Sequence, residues 1–275
     1  MIRNATLPMG WYPSDAQGIR TSVDSWTAEV HGTGGRTIRG CVVPHAGWSF
    51  SGKLAARTLA HLSPHPKTVV IAGGHLRPGD PVLVSAAEGQ RTPLGRTETD
   101  AELLDELWER FHSRDIDGLD NSVDAPIPMI QHLYPEARIL LMRVPPAAVA
   151  EDVGTALADY ADRVAYPIAV VGSTDLTHYG PNFGFAPQGR GEAAHAWAME
   201  QNDAGFLNAL RRMDAEGGLS HAREHHSACS PGGAVAAMTF ARLQGARMGE
   251  VTGHYSSYDR RPDDSFVGYG GIVFS

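Results

Sequence analysis

Seven short runs rich in β-branched and apolar residues, at 37–43, 67–72, 82–85, 138–144, 165–171, 249–255 and 266–274, alternate with stretches of helical period. The helical stretches fall at 52–62, 98–112, 123–133, 146–162, 191–213 and 232–244. That alternation predicts an α/β fold, a sheet layered between flanking helices. No internal repeat and no linker rich in Pro, Gly or Ser divides the chain, so one domain over residues 1–275 is expected. Gly, Pro and polar residues cluster at 77–97, 182–191 and 217–230, which predicts loops around a site.

The composition narrows the function. Twenty-three Lys and Arg against 31 Asp and Glu give a net charge of −8, without a basic block, so nucleic acid is not an expected partner. No apolar run reaches the roughly 18 residues of a membrane span, and residues 1–13 lack a hydrophobic signal core. A cytoplasmic protein without a membrane partner is expected. Cys41 and Cys229 are too few for a disulfide scaffold, so each thiol needs its own explanation. Cys41 sits in mid-strand and reads as a small core residue. The segment Gly189-Arg-Gly191-Glu-Ala-Ala superficially matches a dinucleotide fingerprint, but it follows a loop instead of a strand and is rejected.

Three predicted strands run into a turn that carries histidine: Cys41-Val-Val-Pro-His45-Ala-Gly, Val69-Val-Ile-Ala-Gly-Gly-His75, and Ile168-Ala-Val-Val-Gly-Ser-Thr-Asp175-Leu-Thr-His178. A single histidine at a strand end is ordinarily a satisfied polar group. Three at equivalent places form a pattern, because the carboxyl ends of parallel strands converge on one crevice. Cys229 precedes Pro231-Gly-Gly and an apolar helix, so its sulfur is expected near a helix N-terminus, where thiolate is favoured. Imidazoles with a thiolate suit Fe(II), Cu or Zn. Candidates spread from residue 45 to 229 point to an active site more than to a structural zinc site built from local pairs. Asp175, three residues before His178, is a candidate to orient an imidazole, act as a base or ligate directly.

At this point the residues resemble those of a known family. Gly10-Trp11-Tyr12-Pro13, Pro44-His45-Ala46-Gly47-Trp48-Ser49-Phe50-Ser51-Gly52, Gly74-His75, Thr92-Pro93-Leu94-Gly95, Ser173-Thr174-Asp175-Leu176-Thr177-His178-Tyr179, Cys229 and Phe266-Val267-Gly268-Tyr269 resemble, in order, the motifs of the Memo family. The resemblance implies a fold similar to that of class III extradiol dioxygenases. It also implies a metal site with His45, His75 and Cys229 as ligands and Asp175 and His178 beside them. Bound copper or iron, redox activity, and association with a radical SAM protein and a companion domain are further implications. One departure stands out: the family's Glu-His-Ser-x-Glu-x-Gln-Leu-Pro stretch is matched by Asp120-Asn121-Ser122-Val123-Asp124-Ala125-Pro126-Ile127-Pro128. Asn121 therefore replaces an imidazole with an amide that hydrogen-bonds but does not shuttle protons. His225, His226 and His254 are candidates to supply the missing imidazole.

The leading expectation is a mononuclear metal-dependent redox enzyme, a non-haem Fe(II) oxygenase with Cu or Zn as alternative metals, acting on a small aromatic or phenolic molecule. His178 is the expected acid/base, with Asp175 fixing its tautomer. Trp48, Asn121, Tyr179 and Tyr255 are the candidate substrate-binding residues, with ordinary core packing as the alternative for the aromatic ones. A metal-dependent hydrolase, or a Cys229–His178–Asp175 nucleophilic triad, is a second reading. A non-catalytic metal-binding adaptor is a third.

Overall fold

The computed structural model describes residues 1–30, 34–112 and 118–275. Its strands are β1 (Ile2–Asn4), β2 (Gly40–Val43), β3 (Thr68–Gly73), β4 (Leu83–Val84), β5 (Gly89–Thr92), β6 (Gly95–Arg96), β7 (Arg138–Arg143), β8 (Ile168–Ser173), β9 (His178–Tyr179), β10 (Gly249–Ser256) and β11 (Phe266–Phe274). The main sheet runs in the order β10-β11-β2-β8-β3-β7-β4, with β9 paired to β11. Its centre, β2-β8-β3-β7, is parallel; β10, β11 and β4 add antiparallel edges. Strands β1, β5 and β6 form a separate small sheet.

The central strands read as continuous apolar runs because helices cover both faces. Alternate residues divide between two core layers: Val70, Ala72, Leu140, Met142 and Val170 on one face, Val69, Ile71, Ile139, Leu141 and Val171 on the other. Helices Val149–Ala161, Ala204–Arg211 and Pro231–Leu243 cover the first face, and Ala16–Thr27, Lys53–Leu59 and Ile127–Leu133 the second. Cys41 is fully buried in the second layer, as a small hydrophobe.

Several elements differ from the sequence expectation. Residues 217–230, expected as a loop because of Gly217-Gly218, contain most of a helix, Ala215–His225. The Asp214 side chain caps it by accepting the Gly217 N–H at 2.9 Å, and Ala215 and Ala222 are buried against the first core layer. Tertiary burial offsets the glycine penalty there. Helix Ala16–Thr27, capped by Asp15, had only Ile19 and Val23 as buried periodic residues in an otherwise polar segment. The expected helix 191–213 is interrupted by a π-helical turn, Ala198–Asp203. The expected helix 123–133 is two short ones, Asn121–Asp124 and Ile127–Leu133, separated at Pro126.

Candidate metal centre

Strand β8 lies between β2 and β3, and the chain arrives at β2 and β3 before it returns to fill the gap. This is a topological switch point, where turns leaving the carboxyl ends leave room for a ligand. His45, His75 and Asp175 each lie two residues beyond the end of their strand, at Val43, Gly73 and Ser173, so three functional side chains emerge side by side. Gly74 turns the chain after β3 at φ +103, and a Cβ there would come within 2.6 Å of Arg143 Cβ.

Cys229 reaches the same place from the loop before helix Pro231–Leu243. That helix is pressed onto the strand ends: a Cβ on Gly233 would lie 2.1 Å from the Ala72 carbonyl oxygen. The Ser230 N–H donates to Thr174 Oγ1 at 2.9 Å, the Cys229 N–H to the Asp175 carbonyl at 3.1 Å, and the Asp175 N–H to Cys229 Sγ at 3.3 Å. The thiol is thereby laced to the turn after β8.

The result is a tight donor cluster. His45, His75 and Cys229 each offer one ligand atom, all within 4.8 Å of one another, and among the described residues they form the group of donors suited to a single ion. His45 Nε2 is 3.3 Å from Cys229 Sγ, and the two imidazoles meet edge-on with centroids 5.2 Å apart. His45 is buried, Cys229 half-buried and His75 exposed, so the cluster opens on the His75 side. Each imidazole has an outer partner. His45 Nδ1 lies 3.1 Å from Ser173 Oγ, and His75 Nδ1 lies 3.6 Å from Asp120 Oδ1. Asp120 is further held by Arg143 Nε at 3.0 Å and the Ser122 hydroxyl at 2.6 Å. Its amide donates to Asp124, which the Arg3 guanidinium grips at 2.6 and 2.9 Å.

The electrostatics follow from these contacts. Burial alone would push the Cys229 thiol up, but the charge and hydrogen bond of His45, joined by His75 and His178, hold it well below its ordinary value. The Asp120 carboxylate, then Cys229 beside it, raises His75 to about 10. Burial opposes a charge on His45, yet the neighbouring Asp175 and Cys229 raise its pKa. Asp120 resists its own desolvation through His75, Ser122 and Arg143 and is depressed. Asp175 is raised by burial, against the pull of His45.

The structure separates the remaining sequence candidates. A cavity of about 720 Å³ opens over the site, and Asp175, His178 and Asn121 all line it. Asp175 does not set the tautomer of His178, however. Its Oδ1 accepts the backbone N–H groups of His45 and Ala46 at 2.8 and 3.2 Å, whereas His178 Nδ1 lies 3.2 Å from the Leu176 carbonyl. A carbonyl only accepts, so in the neutral ring Nδ1 carries the hydrogen and Nε2 is the acceptor. Trp48 and Tyr179, expected against substrate, are core residues. Trp48 packs on Tyr12 and Trp26 and donates to the Ala125 carbonyl at 3.2 Å; Tyr179 stacks on Phe266 and donates to the Gly189 carbonyl at 3.1 Å. Tyr255 supports the wall indirectly, its hydroxyl donating to the Phe50 carbonyl at 2.9 Å. The aromatic lining comes instead from Trp11, Phe50, Phe183, Phe266 and Tyr269. In place of a Cys229–His178 pair, the thiol faces His45.

Of the three histidines considered as replacements for an imidazole at 121, His254 pairs with buried Asp203 at 3.2 Å and His225 lies tilted against His221, ring centroids 4.5 Å apart. His226 lines a second cavity of about 390 Å³, together with Cys229. Sequence reading passed over Asp120 and Asp203. Asp120 stood next to the Asn121 departure and two residues before Ser122, a capping arrangement that marked it as structurally committed. Asp203 lay inside a predicted helix with no local signal; it accepts both the N–H (3.0 Å) and the hydroxyl of Thr177, fixing the turn that carries Asp175 and His178.

A family model described as Memo-like protein matches residues 3–273. A MEMO1 family protein of Thermococcus onnurineus is 31% identical over 291 residues, covering 100% of this chain and 99% of that one. Another, of Thermococcus kodakarensis, is 30% identical over 290 residues with the same coverage. A solved structure of an uncharacterized Escherichia coli K12 protein aligns with a TM-score of 0.47 at 16% identity, covering 84% of this chain and 99% of that one.

Proposed function

The chain belongs to the Memo family, and on that premise we propose that it is a mononuclear metal-dependent redox enzyme, an oxygenase of a small phenolic substrate, with Fe(II) as its metal. The observation that carries this reading is the convergence of one buried imidazole, one exposed imidazole and a cysteine sulfur within 4.8 Å. The donors fit a metal of intermediate softness: the neighbouring imidazoles lower the thiol's pKa and so favour its thiolate form, and Ser173 and Asp120 fix the two rings from behind. When bound, such a metal supplies adjacent open positions and electrons for substrate and dioxygen.

The protein's own residues do the rest. Phe50, Phe183, Trp11 and Tyr269 give the cavity aromatic walls against which a ring stacks. Asn121 offers an amide that orients a polar substituent without moving a proton. His178 Nε2, left as a free acceptor by the Leu176 carbonyl, takes the proton of a phenolic hydroxyl in the cavity and returns it later. Asp175, buried and committed to the His45 and Ala46 amides, holds the β2 turn in place instead of exchanging protons.

The test is elemental analysis of protein purified without chelator, followed by oxygen uptake with a panel of phenols and catechols. Iron or copper at about one per chain, with oxygen consumption, supports the reading. Zinc without oxygen consumption would redirect it to hydrolysis.

A further inference from the structure

Two cavities meet at the centre, and they differ in character. The larger, of about 720 Å³, carries polar and charged groups suited to a functionalised substrate: Asp175, Asn121, Asn182, Arg261 and Asp263. The smaller, of about 390 Å³, is lined by Phe183, Phe185, Ala222, His226, Ala228 and Cys229, with no Lys, Arg, Asp or Glu among its lining residues. Cys229 belongs to the lining of the smaller cavity, whereas Asp175 and Asn121 belong to that of the larger. His178 and Phe183 line both, and their rings meet edge-on at 4.9 Å and 81°, forming the wall between them.

We propose that the site has two entrances, and that the smaller cavity binds a small uncharged co-reactant, which reaches Cys229 from one side of His178 while the substrate occupies the other. Apart from Cys229, whose charge is offset by the neighbouring His45 and His75, the lining carries no ionic side chain, so a neutral molecule enters without the desolvation cost that an ion pays. The shared His178 wall lets both ligands be present at once, so the enzyme works through a ternary complex. The co-reactant role rests on the redox reading above; the second entrance to the thiol does not.

The experiment therefore reads access to Cys229 directly. Metal-free, full-length protein is alkylated with iodoacetamide, and modification of Cys229 is followed by mass spectrometry. Gly47→Phe fills the larger cavity from a position whose added Cβ meets nothing closer than 3.6 Å. Ala228→Phe and Ala222→Leu fill the smaller one. Filling a passage to interior density closes it, so Ala228→Phe and Ala222→Leu should slow Cys229 alkylation at least about tenfold, and Gly47→Phe should leave it within about twofold. Cys41, fully buried, stays unlabelled in a folded variant and reports unfolding; should Ala228→Phe expose it, Ala222→Leu decides. Equal slowing by Gly47→Phe, or no slowing by a folded small-cavity variant, would overturn the proposal. Absence of metal in the parent protein, with entrance-selective alkylation intact, would remove the redox reading and leave the second entrance standing.

Discussion

Asp175 and Cys229 exchange backbone contacts in both directions: the Cys229 N–H donates to the Asp175 carbonyl at 3.1 Å, and the Asp175 N–H donates to Cys229 Sγ at 3.3 Å. The thiol is thus positioned by the strand turn that also carries Asp175 and His178. A donor that is fixed before a metal arrives loses little entropy on binding, which favours tight association.

Removing a ligand should empty the centre without unfolding the chain. His45→Ala and Cys229→Ser are expected to lower metal affinity by more than the roughly 10–100-fold that loss of an outer partner costs. Far-ultraviolet circular dichroism should be unchanged, because His45 lies on the turn beyond β2 and Cys229 in the loop before helix Pro231–Leu243. Elemental analysis of the two variants beside the parent provides the check.

Asp120 acts through His75. Asp120→Asn keeps the cap for Ser122 but removes the charge facing His75 Nδ1 at 3.6 Å. At the alkaline end of the range, where the proton on His75 competes least, a drop in metal affinity of about 10–100-fold is expected. The pH dependence of that affinity should also become shallower, a change that general loosening of the fold would not produce. Competition titrations with a chromophoric chelator, repeated across pH, measure both.

Metal uptake should release protons from imidazole and not from thiol. His75, raised to about 10 by Asp120 and Cys229, holds its proton at neutral pH, while the lowered pKa of Cys229 favours thiolate. A ligand must be deprotonated to bind, so affinity should rise as pH increases from about 6 towards 9. Calorimetry in two buffers of different ionisation enthalpy gives the proton count; uptake of protons would contradict the assignment.

The Asp203–Gly268 contact makes a stability prediction. A Cβ at residue 268 would lie 2.0 Å from Asp203 Oδ2, so Gly268→Ala should cost about 1–3 kcal/mol by overpacking. Asp203→Ala leaves the Thr177 N–H and hydroxyl without their acceptor, at about 1–3 kcal/mol for each buried group left unpaired. The double variant should lose less than the sum, since the first substitution's clash is with the side chain the second removes. Urea unfolding of the four proteins completes the cycle.

His178 should be needed for turnover but not for the metal. His178→Ala is expected to slow oxygen consumption about 10²–10⁴-fold, the range for a lost general base. Metal content should stay at the parent value, as His178 lies outside the donor cluster. A variant that lost metal in parallel with activity would mean that His178 is itself a ligand.

Much of this arrangement was legible in the chain. The parallel strands announced themselves as apolar runs, and the histidine turns after β2 and β3, Pro44-His45 and Gly74-His75, marked the crevice. Cys229 was visible from its place before Pro231-Gly-Gly. What hid was of two kinds. Helix Ala215–His225 is held by burial against distant helices, which local glycines masked. The partners of the imidazoles come from far along the chain: Ser173 serves His45 across 128 residues, and no short-range pattern encodes that pairing. Trp48 and Tyr179 misled for a related reason, since an aromatic beside a site motif looks the same in sequence whether it faces ligand or core.

The close seating of Gly233 against the Ala72 carbonyl has a consequence for how such a centre diversifies. Because backbone meets backbone there, the depth of Cys229 is set chiefly by the main chain. The cavity walls at Trp11, Phe50 and Phe183 stand on other segments, so they are free to be rewritten for new molecules while the donor triangle keeps its dimensions. Chemistry and selectivity are in this sense separately inherited parts of one scaffold.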